Sequence, residues 1–252
     1  MSEKLPEWLQ IPYINHGYIQ PSGHSYVTCL VLLFFLHNQT VNIWSLVGNL
    51  ILSIYLYLRY SNKNHLHVFF VFMMAFLMHT PFAIANHLFR YIDEFNRVFW
   101  KRMDMVLISI ASVLLTYSLS YFVFPLQWTC FFTLVSLCLC IHSIYTLYQK
   151  SIHNNQQRIL LHFIGSIVIF NIPIVYSIFK QSESAIVFAC IGIIVCMTLT
   201  AIVYTKAFPE KYFPNTFDIF GASHQLMHVG LIIVHVLQFF VIYRLSLQSH
   251  GT

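Results

Sequence analysis

Apolar residues along this chain fall into long runs broken by charge, proline or amide side chains, with no sustained alternation of the kind a strand shows. Seven runs stand out: Asn42 to Leu58, His67 to Phe89, Met103 to Phe124, Leu126 to Tyr148, Ile159 to Phe179, Ser184 to Lys206 and Gly221 to Tyr243. A helix needs about 20 mainly apolar residues to cross a bilayer, and each run is of that order. Met103 to Tyr148 is too long for one helix, and Pro125 with Gln127 marks a tight turn within it, so the third and fourth runs predict a helical hairpin. The apolar run Tyr26 to Leu36 is only about half a crossing long, which predicts an interfacial or buried helix. The expected fold class is therefore all-α, a seven-transmembrane helical bundle. Residues 1–41 form an N-terminal segment with a short interfacial helix, 42–246 the transmembrane domain and 247–252 a short tail.

Composition agrees with the pattern. Of 252 residues 58% are hydrophobic, 17% aromatic and only 8% charged, too little polar surface to cover a water-soluble globule. The formal charge of +5 includes no basic run long enough for nucleic acid. Met1 to Gln10, with Glu3, Lys4 and Glu7, lacks the basic start and apolar core of a cleaved signal, so the first span is expected to direct insertion. The six cysteines lie within apolar stretches, show no CxxC pair and read as small buried hydrophobes.

Placement of lysine and arginine sets the expected orientation. Nine of them (Lys4, Arg90, Arg97, Lys101, Arg102, Lys150, Arg158, Lys206 and Lys211) fall on one side of the seven spans, against four (Arg59, Lys63, Lys180 and Arg244) on the other. The positive-inside bias puts the N-terminus in the cytoplasm and the C-terminus on the extracellular or lumenal side, opposite to a G-protein-coupled receptor. The Asn38-Gln39-Thr40 sequon is then expected to face the cytoplasm and stay unmodified.

Ionisable groups within spans are costly, which singles them out for function. His87 closes the second span, Asp104 opens the third, and His224 and His228 open the seventh, all at the expected cytoplasmic level. His224 and His228 are one helical turn apart on one face, so both can reach a single ion, and His87 can supply a third nitrogen. Three histidines with an open position describe a catalytic type of zinc site. Asp104 could bind the ion or hold its water as general base. The competing reading of His-x-x-x-His in an apolar helix is interhelical hydrogen bonding. Gln225 stands where a zinc metalloprotease has glutamate, which argues against that class. His79, His142, His162 and His235 share no depth with one another or with the four, and are expected to serve structural hydrogen bonds. Pro173 predicts a kink.

The run from Pro209 to His228, Pro-Glu-Lys-Tyr-Phe-Pro-Asn-Thr-Phe-Asp-Ile-Phe-Gly-Ala-Ser-His-Gln-Leu-Met-His, resembles the last loop and final helix of the progestin and adipoQ receptor (PAQR) family, related to hemolysin III. Gly17-Tyr18 and the stretch from His37 to Ser45 resemble the family's lead into its first span, and His87 and Asp104 keep its 17-residue spacing. The resemblance covers the chain in outline. It implies seven helices with a cytoplasmic N-terminus and zinc on His87, His224 and His228, with Asp104 reaching the ion directly or through water. It departs at Ala83, where the family has a serine, at Leu46, a family histidine, and at Met105, a family tyrosine. The Pro-Glu-Lys-Tyr-Phe-Pro run is most similar to the membrane progestin receptor branch.

The resemblance implies a receptor in the lipid bilayer for a lipid, steroid or adipokine-like ligand, coupled to a signalling partner the sequence does not name. The compartment is the plasma membrane or the Golgi and endoplasmic reticulum. One alternative it implies is a zinc-dependent, ceramidase-like amide hydrolase acting on membrane sphingolipids, with Asp104 moving the proton. Another is a non-catalytic membrane or trafficking regulator with a structural zinc. The 24 phenylalanines and 15 tyrosines suit an apolar ligand cavity or simple packing.

Overall fold

A computed structural model describes residues 5–20, 24–149 and 152–249, with residues 152–163 described by their backbone alone. Lys4 and Lys150, and the side chains of Arg158 and His162, therefore lie outside the described residues. The described chain forms eight α-helices: α1 (Tyr26–Val31), α2 (Thr40–Tyr60), α3 (Leu66–Leu88), α4 (Glu94–Ser120), α5 (Leu126–Tyr148), α6 (Ile152–Lys180), α7 (Ser184–Thr205) and α8 (Ser223–Gln248). Six segments are long and apolar enough to cross a membrane, containing α2, α3, α4, α5, α7 and α8. In α6 the apolar stretch Ile164–Lys180 is shorter.

Most boundaries follow the apolar runs, and the departures have local causes. Pro125 stands immediately before α5, where a residue without an N–H costs the helix nothing, and this gives the expected break after α4. α4 begins at Glu94, nine residues before its apolar run, because Asp93 Oδ1 accepts the backbone N–H of Asn96 at 2.7 Å and starts the helix within charged sequence. Pro81 and Pro173 lie inside α3 and α6 without ending them. α1 continues as a 3-10 turn over Leu32–Phe34. It buries Cys29 and leaves Val27 70% and Phe34 81% exposed.

The helices and loops group into two compact units. The first comprises Met1–Asn49, Thr80–Asp104 and Cys196–Ile233. Here Cys29, Ile43 and Leu88 form a buried cluster joined by Leu32, Leu33, Ile84, Phe89 and Ile92. The N-terminal segment is fixed by Asp218 Oδ2, which accepts the backbone N–H groups of Asn15 (3.2 Å) and His16 (2.8 Å). Gly17 follows at φ +77°, and its carbonyl accepts from Asn38 N at 2.9 Å. A side chain there would press on Ile219 and the Asn38 backbone, so the turn requires glycine. In the same unit Gly230 of α8 approaches Thr200 of α7 so closely that a Cβ would overlap the hydroxyl.

The second unit comprises Leu50–His79, Met105–Val195 and Val234–Thr252. Phe69 and Phe72 pack against Phe239 at ring separations of 5.5 and 5.9 Å, and Phe76 lies 4.3 Å from His235. His79 is an electrostatic neighbour of His235, so these two histidines come together although the sequence assigns them no common depth. α4 meets α5 through hydroxyls, with Ser109 Oγ donating to Ser143 Oγ and Thr116 Oγ1 to Ser136 Oγ, each at 3.2 Å. Small hydroxylated residues let apolar helices pack closely where hydrophobic burial gives little between them. Arg244 pairs with Glu183.

The α7–α8 approach gives a direct test. Thr200 Oγ1 is held by Cys196 O at 2.6 Å and cannot swing aside cheaply. Gly230→Val is expected to destabilise the protein by about 1–3 kcal/mol, the usual range for overpacking. A fall in the thermal midpoint in detergent, partly restored by adding Thr200→Ala, is the expected reading; an unchanged midpoint would refute the close approach.

Candidate metal centre

Each candidate residue is positioned by a local device. α8 begins where it does because the Glu210 carboxylate accepts the backbone N–H of Ser223 at 2.8 Å and also takes its hydroxyl. Gln225 Oε1 accepts the N–H of Gly221 at 2.6 Å, and Gln225 Nε2 donates to Ile219 O at 2.7 Å. The Glu210 bond satisfies an amide that the helix start leaves without an intrahelical partner, the Gln225 bonds fix the turn just before the helix, and the Glu210 charge favours the positive end of the helix dipole. With the start fixed, His224 and His228 follow on one face. His87 is the penultimate residue of α3.

The three histidines come together. His87 is buried, His224 and His228 are half-buried, and one ring nitrogen from each lies within 4.8 Å of the others. The ring centroids are 5.2 Å apart for His87 and His224, 5.4 Å for His87 and His228, and 4.8 Å for His224 and His228. Asp104 is not one of this group. Its Oδ2 accepts from Asn86 Nδ2 at 2.9 Å, next to His87 in sequence.

The donor chemistry fits a transition-metal cation. His87 Nδ1 meets Gln39 Oε1 at 2.7 Å. Because an amide oxygen only accepts, Nδ1 carries the proton and Nε2 offers its lone pair, the arrangement usual for metal-binding histidine. Zinc holds imidazole nitrogens at about 2.0–2.1 Å, so two of them lie no more than about 4.2 Å apart. The present set, within 4.8 Å, is slightly wider than that limit.

Gln39 is in turn held. It accepts from Asn42 Nδ2 at 2.9 Å and donates to Asn38 Oδ1 at 3.3 Å, and Asn38 Oδ1 also accepts from Tyr91 OH at 2.7 Å. His37 lies beneath this network with Nδ1 accepting from Gln39 N at 3.1 Å. Burial holds the His37 imidazole well below its ordinary range, at about 4. It is therefore neutral at neutral pH and serves as an acceptor. None of these supporting residues stands out in the sequence as part of the site, because an amide at the mouth of an apolar run carries no spacing signature. The nearest signal is that His37, Asn38, Gln39 and Asn42 are four polar residues within six positions.

A cavity of about 480 Å³ reaches His87 and His224, with Gln39, Arg90, Tyr204 and Glu210 also in its wall. It joins the histidines to the surroundings and leaves room for a ligand beside them.

With this geometry in place, the chain's relatives can be compared. It is 25% identical over 248 residues to the adiponectin receptor protein of Drosophila melanogaster, covering 91% of this chain but only 55% of that protein. Against membrane progestin receptor beta of Mus musculus the identity is 22%, covering 98% of this chain and 78% of the other. For membrane progestin receptor alpha of Homo sapiens the figures are 24%, 93% and 73%. The chain thus spans about half the length of the fly relative and more of the mammalian ones. Residues 34–239 match the Haemolysin-III related family, and with the helical spans and the Pro209-to-His228 run they place this chain as a member of that family.

Proposed function

We propose that this chain is a seven-span membrane receptor of the adiponectin and progestin receptor type, holding a zinc ion on His87, His224 and His228. The observation that carries the metal part is the convergence of three ring nitrogens within 4.8 Å, one of them fixed as a donor by Gln39. The receptor part rests on relatives named as adiponectin and membrane progestin receptors. Their names suggest lipid, steroid or adipokine-like ligands, and a cavity of about 480 Å³ beside the histidines would admit a lipid or steroid.

The seventh crossing on this reading is α6. Its 29 residues extend well past the apolar stretch Ile164–Lys180, and at 1.5 Å per residue they exceed the roughly 30 Å of bilayer hydrocarbon. The lysine and arginine bias supports an N-terminus in the cytoplasm and a C-terminus outside, and the exposed apolar side chains of α1 suit the membrane surface.

Hydrolysis of a membrane lipid amide is the second reading, favoured by a ligand set of three protein nitrogens with a cavity against it. A bound zinc would supply Lewis acidity toward a carbonyl oxygen. The chain's own part is to seat the lipid head in the cavity and to move a proton through Asp104, whose carboxylate Asn86 orients. The family's serine is Ala83 here, so a hydroxyl contributes nothing from that position.

Metal analysis tests the first link. Purified protein is expected to carry close to one zinc per chain, lost in His228→Ala. Gln39→Leu is expected to weaken zinc binding by about 10–100-fold without abolishing it, read by competition with a chelating indicator. Zinc affinity unchanged in Gln39→Leu would remove the role given to that amide. Fatty-acid release from ceramide by wild type, absent in Asp104→Ala that still holds metal, supports hydrolysis through Asp104; equal turnover in the variant would remove the role of Asp104, and no release by metal-loaded wild type would exclude hydrolysis. For orientation, Asn38 is expected to stay unglycosylated in microsomes while an acceptor sequon appended to the C-terminus is modified; the reverse pattern would overturn the topology.

A further inference from the structure

The cavity beside the histidines carries charge that the metal reading does not use. Its wall holds three cationic side chains, Arg90, Arg97 and Lys101, and one carboxylate, Glu210. Arg90 lies three residues beyond His87, in the 3-10 turn Phe89–Tyr91 that follows α3. Arg97 and Lys101 are one turn apart on the same face of α4. All three are close enough for the charges of Arg90 and Arg97 to act on Lys101. Glu210 is committed to Ser223 at the start of α8. Arg90 Nε is buried without a hydrogen-bond partner, and among the described residues no carboxylate pairs with Arg90.

Asp104 acts on Lys101 and Glu94 on Arg97, which offsets part of this charge, and among the described residues no carboxylate does so for Arg90. Like charges gathered in one hollow raise one another's energy, and a buried charge normally has a partner. Orientation in the membrane accounts for cations near span ends, but water-facing side chains serve that purpose equally well. It does not account for a half-buried arginine, its Nε without a partner, in a cavity wall that two further cations share.

We propose that this cavity binds a phosphate-type dianion, gripped by Arg90 and Arg97 with Lys101 adding charge. The wall's excess of two positive charges over Glu210 matches a phosphate monoester, which carries about −1.5 to −2 near neutral pH, better than it matches a single carboxylate. Guanidinium forks suit phosphate oxygens, and the ammonium of Lys101 contributes as a point charge. Two sources share this chemistry: a lipid with a phosphate monoester headgroup, and free inorganic phosphate. The site stands on the arginines and does not require the metal.

The test uses the whole 252-residue chain in phosphatidylcholine nanodiscs, with and without prior treatment with a metal chelator. Thermal midpoints are read with inorganic phosphate against chloride at equal ionic strength, and with phosphatidate in the disc against phosphatidylcholine alone. The midpoint is expected to rise in at least one arm; phosphatidate alone identifies a headgroup, and phosphate in neutral discs identifies the free ion. Arg90→Gln and Arg97→Gln are each expected to weaken the apparent affinity by about tenfold or more, the loss of one charge-assisted hydrogen bond. Lys101→Gln, at an exposed side chain that tolerates substitution, is expected to weaken it less, and Lys180→Gln, at an exposed residue outside the cavity wall, not at all. Three results overturn the proposal: no rise in either arm, a rise equal in Lys101→Gln and the arginine variants to that of wild type, or a rise that vanishes on chelation while the protein still melts cooperatively.

Discussion

The hydrogen bond from His87 Nδ1 to the amide oxygen of Gln39 joins the entrance of α2 to the end of α3, and the order of the site depends on it. A buried carboxamide has four hydrogen-bonding positions, and in a low-dielectric setting each one left empty is expensive. Gln39 fills three of the four, with His87 and Asn42 on its oxygen and Asn38 on its nitrogen. Asn38 is itself fixed, by Tyr91 and by the Gly17 carbonyl. The histidine therefore inherits its orientation from a network that reaches back into the N-terminal segment. A change at Gly17 or Tyr91 would act on His87 through these bonds without touching the metal ligands.

A second constraint fixes the other two histidines. The first turn of a helix leaves backbone N–H groups without intrahelical partners, and these must be answered near a membrane where water is scarce. Glu210 answers that of Ser223 at α8 from the preceding loop, while Gln225, from the helix itself, holds the Gly221 N–H just before it. Gln225 stands between the two histidines in sequence, at the place where a zinc metalloprotease carries a catalytic glutamate. Its side chain turns back to the Gly221 N–H and the Ile219 carbonyl instead. The residue therefore has a structural reason to be glutamine, which agrees with the sequence argument against a protease.

The spans were legible because the bilayer imposes one dominant signal, apolar length, and α5 matches its run from Leu126 to Tyr148. The charged start of α4 was hidden for the converse reason. Hydrogen bonding extends a helix through Arg97, Lys101 and Arg102 where hydropathy falls. Pro173 does not end α6, since neighbouring structure can meet the bonds a proline frees. In the site, His224 and His228 were legible from helical spacing, and His87 from its depth at a span end. Gln39 and Glu210 were not, because each acts on a partner 48 or 13 residues away that only the fold identifies. The nearness of His79 to His235 was equally hidden by sequence separation.

Asp104 bears on the choice between a structural and an open metal centre. A structural zinc closes its coordination with four protein ligands, whereas the converging set here comprises three histidines. Asp104, outside that set, has an oxygen held by Asn86, whose neighbour His87 belongs to it. On the proposed reading, Asn86 holds Asp104 as a second-layer group and leaves the fourth position to a ligand from the cavity. On the hydrolase reading, buried Ala83 offers no hydroxyl to share the proton transfer proposed for Asp104. A centre built this way can bind without reacting, so ligand recognition does not require that the chain retain hydrolysis.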